Sequence, residues 1–255
     1  MHAVVMAGGV PGPEDPLYAE CNGRPKALLD IAGRPMAQWV LDALGGSRQV
    51  ENVIVVGIGP ESGLECRRPT SYLPDQGGLM NNALAGVRRV RETDPSSSHL
   101  LVASSDVPAV TAEMIDWRID IGREADADFD YAAVDRSVME ARYPDSRRSY
   151  VKIRGYELCG GDVNVVRTSL ATNQKLWDRL VAARKSALKQ AALIGFDVLF
   201  LLLTRQLTLS QAERIVSGRL GVKARVHLSP YAELAMDVDK PHQLEIIRRD
   251  MARRA

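Results

Sequence analysis

Two glycines and a lysine near the start of the chain are the first residues whose types and spacing could do chemistry. Gly8 and Gly9 follow the apolar run His2–Met6 after Ala7, and Lys26 lies farther along the same loop. Glycines after a buried strand let backbone N–H groups approach an anion closely, and a lysine could then reach its phosphates. The alternative is a tight turn followed by a solvated lysine. Neither GxGxxG nor GxxxxGK[ST] is present.

Three aspartates form a second candidate group. Asp106 follows an apolar run, and Asp237 and Asp239 are separated by one residue in a segment that we expect to be extended. Side chains two residues apart in an extended segment point to the same side. Magnesium prefers carboxylates together with phosphate oxygens, so these aspartates could hold it. The alternative is structural, because Asp106 could make a loop hydrogen bond and Asp239 could cap the helix that begins near Pro241.

Histidines, cysteines and net charge argue against other kinds of site. The four histidines, at positions 2, 99, 227 and 242, have no ligand spacing, and the three cysteines form no CxxC motif. This argues against a zinc site, a histidine general base and a disulfide framework. With 33 basic and 32 acidic side chains, the net charge of +1 gives no bulk attraction to nucleic acid or membrane. The N-terminus does not resemble a signal peptide and no apolar run is long enough to span a membrane, so we expect a cytoplasmic protein.

Apolar runs alternate with helical patterns along the chain. The sequence predicts strands at His2–Met6, Asn52–Val56, His99–Ala103, Tyr131–Val134, Tyr150–Ile153, Val163–Val166 and Ala224–Leu228. It predicts helices at Pro35–Leu44, at Leu79–Arg91, from a Thr111 cap to about Glu124, after a Ser210–Glu213 capping box, and up to about Met251. Such alternation implies a largely parallel sheet covered on both faces, with ligands beyond the carboxyl ends of its strands.

The segment from about 173 to 220 differs from the rest because it is mostly helical. We interpret it as a helical lobe of a single domain that spans residues 1–255. Its centre contains more apolar side chains than a free surface carries, namely Phe196, Val198, Leu199, Leu201, Leu202 and Leu203. We expect these side chains to pack under the lobe or against the second subunit of a homodimer.

Six stretches follow one another in an order that is informative as a set. They are VVMAGG, RPKALLDIAGRPMAQWVLDAL, GGLMNNALAGV, SSDVPAV, GGDVNVV and AMDVDKPHQLEII. Together they resemble the MobA-like NTP transferases, a nucleotidyltransferase family of the GT-A fold in the nucleotide-diphospho-sugar transferase superfamily. The resemblance covers nearly the whole chain apart from the helical part. It implies an α/β, Rossmann-like GT-A fold: a mostly parallel mixed sheet, helices on both faces and a helical insertion near 170–220.

The resemblance also implies roles for individual residues. The nucleotide-binding positions, which hold the phosphates or line the pocket for base and ribose, are Ala7, Gly8, Gly9, Lys26, Gly77, Gly78, Asn81 and Asp106. Gly161 and Asn164 would bind the acceptor. Asp106 and Asp239 would hold Mg²⁺ (or Mn²⁺) with Asp237 beside them, and Lys26 and Asp106 would be the catalytic pair.

The chain departs from the family pattern in its glycine loop. The family usually has an arginine a few residues after the glycines, whereas this chain has VPGPEDP and a longer loop up to Lys26. Arg24 could take the place of that arginine. The Asp-x-Asp-Thr-Pro pattern of the family is also altered, because Lys240 stands where the family prefers threonine.

The implied reaction transfers an NMP group from an NTP to a phosphorylated acceptor and releases pyrophosphate. The acceptor would be a sugar, alditol or cofactor phosphate. A phosphorylated acceptor is already ionised near neutral pH, so it needs charge neutralisation and alignment and no histidine base. Two alternatives remain open from the sequence, namely a GT-A glycosyltransferase that uses an NDP-sugar and a non-catalytic nucleotide-binding regulator. We expect neither nucleic acid nor membrane as a partner.

Overall fold

The computed structural model describes residues 1–178, 201–202 and 204–254. Much of the predicted helical lobe therefore lies outside the described residues, including Phe196, Val198, Leu199 and Leu203. Leu201 and Leu202 are described, and both pack against a cluster that contains Leu207 and the β-sheet residue Leu158. No helix in the described part of the chain is both long and apolar enough to cross a bilayer.

Nine strands form one mixed sheet, and two short strands form a separate ribbon. In chain order they are β1 (His2–Met6), β2 (Asp30–Ile31), β3 (Arg34–Pro35), β4 (Val53–Val56), β5 (Thr70–Leu73), β6 (His99–Ser104), β7 (Phe129–Asp135), β8 (Val151–Ile153), β9 (Tyr156–Gly160), β10 (Val163–Arg167) and β11 (Ala224–Leu228). The order across the main sheet is β5-β4-β1-β6-β10-β7-β9-β8, with β11 paired to β7, and β2 pairs with β3.

Helices of four to fifteen residues connect these strands within the described ranges. They are α1 (Tyr18–Cys21), α2 (Met36–Gly46), α3 (Leu79–Thr93), α4 (Ala112–Ala125), α5 (Arg136–Arg142), α6 (Leu209–Leu220) and α7 (Pro241–Met251). Thr111 caps α4 as predicted, since its hydroxyl accepts the backbone N–H of Met114. The mostly parallel α/β sheet that the sequence implies is confirmed.

The first strand is buried because helices cover both faces of the sheet. Ala3 and Val5 face a cluster with residues of α2 and α4, while Val4 faces a second cluster with Val87 of α3. This explains why β1 is apolar at nearly every position instead of alternating. Helix α3 lies so close that a side-chain carbon at Gly86 would come within 2.3 Å of Val4.

One strand reverses the direction of the sheet next to the site. β1 pairs in parallel with both β4 and β6, whereas β10 runs antiparallel to β6 on one side and to β7 on the other. The residues that precede β10 therefore lie at the same edge as those that follow β6. This edge receives residues from strand ends and from one strand start.

The capping box was predicted at the wrong residues. The box of α6 is formed by Thr208 and Gln211, whose side chains and backbone groups bond reciprocally. Ser210 already lies inside the helix, and the Glu213 carboxylate instead accepts the backbone N–H of Val226 in β11. Both pairs have the required spacing of three residues, so spacing alone could not distinguish them.

Candidate functional site

Lys26 lies between two carboxylates from distant parts of the chain. Its Nζ donates to Asp106 Oδ2 at 2.8 Å and to Asp239 Oδ1 at 2.5 Å. The partners are 80 and 213 positions away in the sequence. The structure thus brings together three residues that the sequence assigned to phosphate and metal binding.

The backbone around the three residues explains why they meet. Lys26 begins a short 3₁₀ helix, and its N–H donates to the carbonyl of Gly9 at 3.2 Å. Asp106 follows β6, and its carbonyl accepts the N–H of Val238 at 3.0 Å. The glycine loop, the end of β6 and the segment before α7 are therefore positioned by main-chain hydrogen bonds.

Lys26 is not the solvated lysine that the structural alternative would require. Its side chain is only 20% exposed, and that of Asp106 is 17% exposed. Burial by itself would lower the pKa of Lys26, but the carboxylates of Asp106 and Asp239 outweigh burial and raise it. The lysine is therefore fully charged at neutral pH. Asp106 Oδ1, by contrast, is buried without a hydrogen-bond partner.

Asp239 does not cap the last helix. Lys240 occupies the N-cap position of α7 and no side chain caps it. The Asp239 N–H instead donates to Gln243 Oε1 at 3.0 Å, and its own carboxylate, 55% exposed, is left for Lys26. The structural alternative for Asp239 is excluded by this geometry.

Asp237 has a different partner from Asp239 despite the spacing of two. It is buried, and its carboxylate contacts the guanidinium of Arg148. Asp237 and Asp239 therefore contact different cationic side chains, Arg148 and Lys26. The ion pair could not be expected from the sequence, because adjacent arginines such as Arg147 and Arg148 are typical of a solvated surface.

Asp162 is a further acidic residue at this edge, and sequence reasoning missed it. It precedes β10, where its carbonyl accepts the N–H of Ser104 and its N–H donates to the carbonyl of Leu234, both at 2.8 Å. Burial, followed by the charge of Asp106, raises the pKa of Asp162 to about 7. The stretch GGDVNVV contained it, but nothing in that stretch shows that β10 runs antiparallel.

The glycine loop is in close contact with two other segments. A side-chain carbon at Gly57, whose φ is +111°, would lie 2.1 Å from Gly8 Cα, and one at Gly8 would lie 2.6 Å from Asn82 Nδ2. The buried Asn82 amide donates to Asp75 Oδ1 at 2.8 Å and accepts the N–H of Gln76 at 2.7 Å. Asn82 thus contacts the glycine loop and is hydrogen-bonded to the loop before α3, a role that the sequence analysis did not assign.

The remaining nucleotide-binding candidates border this contact. Ala7 is buried and its N–H donates to the carbonyl of Val56 at 2.8 Å. Gly77 and Gly78 precede α3 with φ of 78° and 148°. The Asn81 amide donates to the carbonyl of Gln76 at 3.1 Å, which closes the same loop.

The two acceptor candidates, Gly161 and Asn164, make their contacts within the sheet. Asn164 Oδ1 accepts the N–H of Ala132 at 2.9 Å, and its Nδ2 donates to the carbonyl of Gly161 at 3.1 Å. A side-chain carbon at Gly161 would lie 2.9 Å from Ala132 Cβ. Both residues join the start of β10 to β7, and the amide of Asn164 is engaged at both ends.

The carboxylates at this edge suit a magnesium ion that uses substrate oxygens as well. Within the described ranges, no group of three or more histidine, cysteine, aspartate or glutamate side chains has metal-ligand geometry. Asp106 and Asp239 nevertheless converge on one cationic atom, Lys26 Nζ, and Asp106 keeps a buried oxygen free. Two carboxylates are the usual protein share of a magnesium site that is completed by phosphates and water. The residues present therefore fit the ion.

Comparison with solved structures identifies relatives of this fold. A hypothetical transferase from Thermus thermophilus is 34% identical, with 95% of this chain and 98% of that chain covered and a TM-score of 0.83. CMP:2-keto-3-deoxy-manno-octonic acid synthetase in complex with CTP is 14% identical, with 100% and 98% covered and a TM-score of 0.57. A 2-C-methyl-D-erythritol 4-phosphate cytidylyltransferase, also from Thermus thermophilus, is 15% identical, with 98% of each chain covered and a TM-score of 0.56.

The family is shown by the sequence match over most of the chain. No curated protein matches the sequence. The MobA-like NTP transferase domain matches residues 3–187, which include the glycine loop, Lys26, Asp106 and Asp162. The mixed sheet, the glycine loop at its edge and this match together show that the chain belongs to the MobA-like NTP transferase family.

Proposed function

We propose that the protein is a metal-dependent nucleotidyltransferase that moves an NMP group from an NTP to a phosphorylated sugar, alditol or cofactor and releases pyrophosphate. The observation that carries the proposal is the placement of Lys26 Nζ between Asp106 and Asp239, beside the glycine loop. The family match supports the nucleotidyltransferase class, and two fold relatives are named as a CMP-sugar-acid synthetase and a sugar-phosphate cytidylyltransferase.

The glycine loop is suited to the nucleotide phosphates. Gly8 and Gly9 carry no side chain at the end of β1, so a phosphate group can approach their backbone N–H groups. Gly8 is in close contact with Gly57 and Asn82, so this loop is packed against two other segments. Preorganised donors stabilise developing charge without a cost of reorganisation during the reaction.

Lys26 is the cation that meets the leaving pyrophosphate. Its ammonium is charged at neutral pH and lies at the edge where the glycine loop ends. To contact the β- and γ-phosphates, it exchanges one or both carboxylate partners for phosphate oxygens. Asp106 and Asp239 are then the residues that would hold Mg²⁺, which when bound neutralises charge on the transferred phosphate.

The reaction needs alignment more than proton transfer. The phosphate of the acceptor is ionised near neutral pH and can attack the α-phosphorus directly, with pyrophosphate leaving on the opposite side. Asp162 and Asn164 lie at the start of β10, on the side of Asp106 away from β1. The acceptor therefore approaches from the β10 side and the nucleotide from the β1 side.

Pyrophosphate release tests this proposal. The protein is incubated with each of the four NTPs, Mg²⁺ and a panel of phosphorylated sugars and alditols, and pyrophosphate is measured. Lys26→Met should lower turnover by about 10²-fold, because one preorganised charge-stabilising group is lost. Lys223→Met is the matched control, since Lys223 is exposed and precedes β11 at the opposite edge of the sheet.

Three outcomes would contradict the proposal. Transfer from an NDP-sugar without pyrophosphate would show a glycosyltransferase. Tight NTP binding with no turnover for any acceptor would show a regulator that binds nucleotide. Equal turnover of Lys26→Met and Lys223→Met would remove Lys26 from the reaction.

A further inference from the structure

We propose that Arg148 binds the anionic group of the acceptor, a phosphate monoester, and that Asp237 holds its guanidinium in place until the acceptor arrives. The proposal rests on the function proposed above and adds to it a residue for acceptor recognition. Neither the sequence motifs nor the family match points to Arg148, which precedes β8 in a stretch that resembles none of the six motifs.

Arg148 belongs to the same charged group as the catalytic candidates. The charges of Arg148 and of the catalytic candidates all act on Asp162: Asp106 raises the pKa of the Asp162 carboxyl, whereas Arg148 and Lys26 lower it. Arg148 also opposes the effect of burial on the pKa of the Cys159 thiol at the end of β9. The contact with Asp237 places the guanidinium at this edge, since the next residue, Val238, donates its N–H to the carbonyl of Asp106.

The contacts of Arg148 differ from those of the structural arginines in this chain. Arg142 donates from Nε to Glu233 and from Nη2 to both oxygens of Asp250, at 2.6 and 2.7 Å. Arg118 bonds to two main-chain carbonyls as well as to Asp130. Each of these arginines has several directed acceptors, as expected for a residue that holds a fold together, although Nη1 of Arg118 is also buried without a partner.

Arg148 has fewer such acceptors. Its side chain is 14% exposed, contacts Asp237 Oδ1 through Nη1 and bonds to the side chain of Cys159, while its Nε is buried without a hydrogen-bond partner. A guanidinium has five donors in a rigid fork that matches the oxygens of a phosphate. The free donor and the single carboxylate partner leave Arg148 able to accept a phosphate in place of Asp237.

The charges of the two substrates require a second cation. An NTP and a phosphate monoester repel each other, and Lys26 is placed to meet the phosphates of the nucleotide. Arg148 and Lys26 both act on Asp162, and Arg148 pairs with Asp237 whereas Lys26 pairs with Asp106 and Asp239. Arg148 can therefore hold the acceptor phosphate in line with the α-phosphate.

The competition between Asp237 and the acceptor gives the proposal a distinctive signature. Removing the charge of Asp237 should free Arg148 and tighten binding of a phosphate monoester. Removing Arg148 should weaken that binding. If the pair were only structural, both substitutions would disturb the same loop and would change binding in the same direction.

Calorimetry with two small probes, glycerol 3-phosphate and inorganic phosphate, tests this signature. Each is titrated into the protein loaded with Mg²⁺ and a non-reactive analogue of the NTP that binds best. We expect Arg148→Met to weaken probe binding at least tenfold. Arg148→Lys should weaken it less, because lysine keeps the charge but lacks the planar guanidinium fork. Asp237→Asn should tighten probe binding about threefold or more. Arg136→Met is the matched control, because Arg136 is 48% exposed and pairs with Glu140 and Glu157.

The result separates this proposal from the proposed function. Unchanged affinity of Arg148→Met, or weakened binding in Asp237→Asn, would overturn the role of Arg148 even if pyrophosphate is released. Failure of both probes to bind the loaded wild-type protein would overturn it too. Failure of the proposed function would instead appear as absent NTP binding or absent pyrophosphate in every variant. Melting temperatures of all variants identify any that fail to fold.

Discussion

Replacing Lys26 with methionine should destabilise the protein even without substrate. The substitution nearly keeps the length of the side chain but leaves the carboxylate of Asp106, 17% exposed, without its cation. At 2.8 Å the attraction between two unit charges is about 6 kcal/mol for an effective dielectric constant of about 20, and desolvation offsets much of it. Removing one partner of a largely buried pair costs about 3 kcal/mol. The contact with the exposed Asp239 adds less than about 1 kcal/mol.

A double-mutant cycle measures this effect at pH 7 by urea unfolding. Lys26 has a raised pKa, so its contribution is fully present below 10.5 and is lost only as pH rises through the higher folded value. Lys26→Met should lower the free energy of unfolding by about 3 kcal/mol, and adding Asp106→Asn should restore about 1–3 kcal/mol, because no buried carboxylate is then left without its cation and the other partner, Asp239, is exposed. A double variant no more stable than Lys26→Met, or a coupling below about 0.5 kcal/mol, would refute this account. Lys223→Met should leave the free energy of unfolding nearly unchanged.

Three further predictions concern the neighbouring residues. Asp239→Asn should leave the melting temperature nearly unchanged, since the carboxylate caps no helix, and should abolish Mg²⁺-dependent turnover; a fully active variant would remove Asp239 from the metal site. Because the pKa of Asp162 is raised, its contribution to stability is present below pH 3.8 and is lost as the pH rises through about 7. In unfolding experiments, Asp162→Asn should therefore be as stable as wild type at pH 4 and more stable by on the order of 2 kcal/mol at pH 8. Asn82→Ala should lower the free energy of unfolding by about 1–3 kcal/mol, because Asp75 and Gln76 lose their hydrogen-bond partner. It should also raise the KM for NTP more than the KM for the acceptor, and equal changes in both KM values would contradict this.

Strands whose apolar residues run continuously or alternate with polar ones could be predicted from the sequence. His2–Met6 and Ala224–Leu228 match β1 and β11, and the predicted start of α3 at Leu79 is also correct. The missed elements are short or half-polar, such as β5 (Thr70–Leu73) and β9 (Tyr156–Gly160). Their stability comes from pairing with β4 and β7, and pairing between distant strands leaves no periodic signal in a short segment.

The motifs single out Lys26, Asp106 and Asp239, and the structure brings these three residues together, although their mutual contact could not be derived from spacing. The motifs do not single out Asp162 or Arg148, because their positions at this edge depend on the antiparallel β10 and on the loop before β8. Position in space, and not residue type, distinguishes them from the many other acidic and basic residues of the chain.

The reversed strand β10 has a consequence for how this protein could diversify. On its β1 side lie the glycine loop and Asp106, to which the proposed function assigns the donor, whereas Arg148 and Asp162 come from the segment between β7 and β10 and Asn164 from β10 itself. The boundary between the two sets runs along the β6–β10 pairing, where main-chain hydrogen bonds join the strands. If the proposed function holds, substitutions in the second set should change the recipient of the nucleotide while the donor half stays intact. A library limited to residues 146–164 is the most direct way to redirect the protein toward new recipients.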